Sequence, residues 1–143
     1  MEDNCVAPLF EHVFPPAAPT LSFIGLPWKV VPFPMFELQA TWVARVLSGA
    51  AQLPARDEMM RAAADALARV APAGGVLRRH AHAMTQEEQF DYDDRVAAAA
   101  GAPPLLPWRR AMYAANSRSK RARPDSYRDV WEEADARVEC AAV

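Results

Sequence analysis

Along the chain the spacing of apolar positions changes from one segment to the next, and each change marks an element. Residues 21–26, LSFIGL, are a nearly unbroken apolar run, interrupted only by Ser22 and Gly25. That pattern predicts a strand covered on both faces, as in a parallel sheet. It leads into PWKVVPFPMF (27–36), which reads as a loop dense in proline and aromatics. From Phe36 to Ser48 the spacing turns helical, with Leu38, Trp42 and Val46 in register and Gly49 as the stop. Pro54 opens a second predicted helix over about 55–70. Asp57 and Glu58 suit its positive end, and Met59, Ala63, Leu67 and Val70 form its stripe. APAGG (71–75) breaks it. Thr85 and Glu88 have capping-box spacing and predict a third helix to about Ala100, ended by Gly101 and Pro103-Pro104. A fourth is expected over 107–116, then a basic loop, SRSKRAR (117–123), and a last helix from Pro124-Asp125 containing Tyr127 and Trp131. Near the start, LFEHVF (9–14) reads as a short strand stopped by Pro15-Pro16.

This set is unbalanced. A strand covered on both faces needs sheet neighbours, and two strands alone make a marginal sheet in water. Either 21–26 is not a strand, or its sheet lies outside this sequence. The expected fold class is therefore mostly α with one or two short β-strands.

Composition narrows the function classes. The 143 residues are 52% apolar and 24% charged, which fits an ordinary folded domain. A net charge of −2 gives no general attraction to nucleic acid or anionic membranes. The 14 arginines against 2 lysines reflect compositional drift rather than chemistry. Cys5 and Cys140 sit near opposite ends and form no metal or redox motif, so both read as thiols in a reducing compartment. MEDNCVAPLF is neither a signal nor a transit peptide, and no run approaches a membrane span. A cytoplasmic protein is expected.

Candidate chemistry is sparse. His80 and His82 form an H-x-H pair, but no third ligand lies nearby and Arg78-Arg79 would repel a cation, so a solvated loop is the preferred reading. The five carboxylates of EEQFDYDD (87–94) read as a solvated helix face rather than an acid–base pair. RSKRAR (118–123) is too short to argue for nucleic acid. No Ser or Cys stands in a nucleophile elbow, and glycines at 25, 49, 74, 75 and 101 cannot form a dinucleotide fingerprint or a P-loop. What remains is 21–42. Strand, apolar loop and helix start together suggest the edge of a ligand crevice, which Trp28, Phe33, Met35 and Phe36 could wall. The same aromatics would equally serve as core.

The segments APLFEHVFPP, LSFIGLPWKVVPFPMFELQATWVARVLSG, LPARDEMM and YRDVW carry a family resemblance. They are similar to the C-terminal part of flavin-containing monooxygenases, most of all the plant S-oxygenating, glucosinolate S-oxygenase-like branch. The likeness spans roughly 5–133, and Glu37, Leu38, Gln39 and Trp42 match the family's Glu/Asp-Leu-Gln-x-x-Trp pattern. Ala7 stands where the family usually has glycine. The resemblance implies the C-terminal piece of an α/β flavoprotein with two dinucleotide-binding domains. Residues 1–50 would end the FAD-binding domain, with 21–48 as its last strand and helix, and 51–143 would be a helical extension. It implies FAD and NADPH as cofactors and oxygenation of a sulfide or amine through a C4a-hydroperoxyflavin. Gln39 would face the cofactors, with Pro34, Met35 and Phe36 beside it. Neither glycine fingerprint nor the F-x-G-x-x-x-H motif is present, so the chain alone is expected to be inactive. The alternative is a non-catalytic helical module that docks on an intact homologue.

Overall fold

The computed structural model describes residues 5–70 and 81–130. They hold four helices: α1 (Pro32–Leu47), α2 (Arg56–Val70), α3 (Gln86–Ala100) and α4 (Pro107–Ala122). The chain divides after Pro103 into two compact units.

In the first unit α1 packs on α3. Met35, Trp42 and Val43 of α1 meet Tyr92, Val96 and Ala100 of α3, and Val13 and Phe14 complete the cluster. Phe10 and Phe14 set their rings edge-on to Trp42, at 5.9 and 4.9 Å between centroids. α3 begins as its sequence predicts. Thr85 accepts from Glu88 N–H, and the Glu88 carboxylate accepts from Thr85 N–H. It ends on Gly101 at φ 60°.

α1 starts four residues before the expected point. The sequence predicts a loop over PFP, yet Pro32 and Pro34 occupy the first and third helical positions. The first N–H groups of a helix have no partner within it, so proline there loses no bond. Val31, which precedes Pro32, keeps the extended backbone that such a residue prefers, at ψ 104°.

The expected strand at 21–26 is not formed. Its amides go elsewhere: Leu21 N–H to Ala18, Phe23 N–H to Val13, and Gly25 N–H to a side chain. Leu21 and Ile24 are about half exposed. A ladder needs a neighbouring strand, and none lies beside this segment among the described residues. LFEHVF is likewise a turn, with Glu11 and His12 at φ 45° and 58° and an isolated bridge from Phe10 to Phe14. A parallel bridge also joins Trp28 and Ala83.

The second unit contains α4, which runs through most of the stretch expected to be a basic loop. Lys and Arg are good helix formers and favour a helix C-terminus. Arg123 bonds back to Ser119 through both its backbone N–H and its guanidinium. Residues 124–129 are turns rather than the expected helix start, and Trp131 and Cys140 lie outside the described residues.

Candidate functional site

The polar groups of the first unit converge behind the loop that precedes α1. Gln39 is fully buried. Its amide oxygen accepts from Gly25 N–H at 2.9 Å, and its amide nitrogen donates to Tyr92 OH at 2.7 Å. Tyr92 OH in turn donates to Glu11 C=O at 2.8 Å. One relay thus ties the 21–26 segment, α1, α3 and the 10–14 turn. Burial pushes the Tyr92 phenol well above its ordinary pKa, so it stays a neutral donor.

A second amide, Gln89, is also buried. It accepts from Val31 N–H at 2.7 Å and donates to Val31 C=O at 2.8 Å. Val31 is the N-cap of α1 and has no cap from its own side chain. A side chain of α3 therefore anchors the start of α1 from across the core.

The third group is a histidine pair. His12 Nδ1 and His82 Nδ1 are 2.9 Å apart, and His82 Nε2 lies 3.1 Å from Val6 C=O. A carbonyl only accepts, so His82 carries its proton on Nε2, and His12 donates from Nδ1. His12 also stands edge-on to Tyr92, with 5.6 Å between centroids. Burial, with His82 and Arg95 near, lowers the His12 pKa to about 4. Burial lowers His82 too, partly offset by its bond to Val6.

His12 and Tyr92 border a cavity of about 560 Å³ whose other walls include Glu11, Arg69, Glu88 and Arg95. Glu11 and Arg95 pair across its rim at 3.4 Å.

Several sequence expectations change here. His82 is buried and hydrogen-bonded, not on a solvated loop, and His80 lies outside the described residues. No group of three or more metal-ligating side chains occurs among the described residues. Glu87, Glu88 and Asp91 are exposed as expected, but Asp93 is buried. Trp28, Phe33, Met35 and Phe36 do not form one wall: Met35 is buried in the core while Phe33 is 81% exposed. Pro34 and Phe36 are half-buried, and Phe36 lies against Gly25. Gln89, Tyr92 and His12 were not singled out. The signal for the first two is their place on the stripe that continues through Val96 and Ala100.

A family model, flavin-binding monooxygenase-like, matches residues 1–113. The chain belongs to this family. It is 47% identical over 137 residues to flavin-containing monooxygenase FMO GS-OX-like 2 of Arabidopsis thaliana, and 46% identical over 134 residues to FMO GS-OX-like 4 of the same plant. Each match covers 93% of this chain and 29% of the relative. Its fold is similar to S-allyl-L-cysteine S-oxygenase from Allium sativum, with a TM-score of 0.87 and 45% identity over 99% of this chain and 32% of that one. The chain thus spans less than a third of the length of these relatives. No helix among the described residues is long and apolar enough to cross a membrane.

Proposed function

We propose that this chain is the C-terminal part of an FAD- and NADPH-dependent monooxygenase that oxygenates soft nucleophiles, and that it supplies one wall of the flavin site. The observation that carries the reading is the likeness to the Allium sativum S-oxygenase, 45% identical and matched over 99% of this chain. That enzyme's name favours a sulfide over an amine as substrate. In this reading residues 1–50 end the FAD-binding domain and 51–143 form a helical extension. Gln39, Pro34, Met35 and Phe36 form the cofactor-side segment. Their geometry supports a positioning role: Gln39 fixes the Gly25 backbone, while Met35 anchors the first turn of α1 in the core.

The described residues do not fit a whole dinucleotide. A pyrophosphate needs a glycine-lined cradle that backbone N–H groups can fill. Gly25, the one glycine of this segment, has its open side filled by its own chain: a Cβ there would stand 3.0 Å from the Phe36 ring. We therefore derive no chemical step from this chain and propose that it is inactive alone.

Two measurements test this. The purified chain, incubated with FAD and NADPH, is expected to leave a desalting column without flavin absorbance and to oxidise no NADPH. Grafted in place of the matched segment of the Allium sativum enzyme, it is expected to give a flavin-loaded protein that oxygenates a sulfide. A graft that folds but carries no flavin sinks the reading.

A further inference from the structure

The basic run 118–123 has no part in the flavin reading. It closes α4 and leads into a serine. Arg121 and Arg123 stand five and three residues before Ser126, in RARPDS (121–126). From Pro107 to Arg123 there are six cations and no acidic residue.

The serine falls just past the helix. α4 ends at Ala122, and residues 124–129 are turns. Pro124, Asp125, Arg128 and Asp129 are exposed, and Ser126 and Tyr127 are half-buried. Bonds of short range hold Ser126. Its N–H donates to Arg123 C=O at 3.2 Å, and its C=O accepts from the N–H groups of Asp129 and Val130 at 2.9 and 3.1 Å. A turn held by such local bonds opens at little cost, so the stretch can be drawn out into an enzyme cleft. Ser117 and Ser119 differ on both counts. They lie inside α4, neither has an arginine three or five residues before it, and Ser119 is buried.

We infer that Ser126 is a phosphorylation site for a serine kinase whose substrate cleft carries carboxylates that pair with Arg121 and Arg123. The Ser126 hydroxyl oxygen bonds to the γ-phosphorus of ATP. The bond from that phosphorus to its bridging oxygen breaks, ADP leaves, and the hydroxyl proton passes to the carboxylate base of the kinase. The inference stands apart from the flavin reading.

Arg123 links the modification to the fold. Its guanidinium donates to Ser119 Oγ at 3.0 Å, and its N–H donates to Ser119 C=O at 2.8 Å, so it ties down the last turn of α4. A phosphate on Ser126 brings a charge of about −1.5 to −2 and strong acceptor oxygens. A guanidinium bonds a phosphate more strongly than a neutral hydroxyl. Arg123 therefore leaves Ser119 for the phosphate, and the last turn of α4 loosens. The helix dipole acts in the same direction, because it disfavours negative charge at a C-terminus.

The test incubates the whole chain with protein kinase B and ATP. The expected result is one phosphate per chain, located on Ser126 by peptide mass spectrometry and absent from Ser126→Ala. A charge-assisted pair is worth about tenfold or more in binding. Arg121→Gln and Arg123→Gln are each expected to slow transfer by about that factor, and Arg128→Gln to leave it unchanged. Arg121 is exposed, so its variant reads recognition without disturbing the Arg123 bond to Ser119. Phosphate on Ser117 or Ser119 in place of Ser126 overturns the site. So does a rate indifferent to both arginines, or no transfer at all. Hydrogen exchange reads the consequence. Amides 121–123 are expected to exchange several-fold faster in the phosphorylated chain, with those of α1 and α3 unchanged. Equal exchange in the two forms overturns the transfer of Arg123 from Ser119 to the phosphate.

Discussion

At the residue scale, two buried groups make measurable claims. Tyr92 donates to one carbonyl and accepts from one amide in the core. Tyr92→Phe keeps the ring but leaves the Gln39 amide and the Glu11 carbonyl without this partner. An unsatisfied buried polar group costs about 1–3 kcal/mol, so denaturant unfolding of this variant is expected to show a loss of about 2 kcal/mol. An unchanged midpoint would show that the relay holds nothing. His12 makes a claim about pH. Its folded pKa, about 4, lies below the ordinary 6.5, so the unfolded chain binds the proton more readily. Its contribution is complete above pH 6.5 and is lost as the pH falls toward 4. Over that window a shift of this size corresponds to about 3 kcal/mol. The lowered pKa of His82 acts in the same direction. Unfolding followed from pH 7.5 down to pH 4 is expected to show this decline, and His12→Gln to flatten most of it. A variant as steep as the parent would place the dependence elsewhere.

At the element scale, helix starts are held in two different ways. α3 is capped by its own sequence: Thr85 and Glu88 satisfy each other's backbone N–H groups. Thr85→Ala is expected to cost about 1 kcal/mol, readable as a lowered unfolding midpoint with the core unchanged. Glu88 reinforces this as a carboxylate, its pKa held low by its bonds to Thr85. α1 has no such local device. Its start depends on two prolines that lose no bond at the first turn, and on Gln89 reaching in from α3. This contrast explains what could be read from the sequence. The α3 boundaries were legible because both signals, Thr85-x-x-Glu88 and Gly101, are local. The start of α1 was not, because its cap lies 58 residues away. α4 runs past its expected end because SRSKRAR, loop-like only in its charge, contains no helix breaker.

At the scale of the whole molecule, the mostly helical class and the family were legible, and the apparent strand was informative in failing. LSFIGL has the composition of a covered strand, but covering it takes a sheet that the described residues do not contain. Its amides turn instead to Val13 and Gln39. The buried histidine pair was illegible because the 10–14 turn and residue 82 meet only in three dimensions, 70 positions apart. The same distances impose an order in time. The Glu11 carbonyl waits for a phenol 81 residues downstream, and Val31 waits for an amide 58 residues downstream. A ribosome must therefore deliver α3 as far as Tyr92 before the segment from Glu11 to Val31 can settle. Until then Phe10, Phe14 and Trp42 have no closed interior to enter, and the inward side of α1 stays bare.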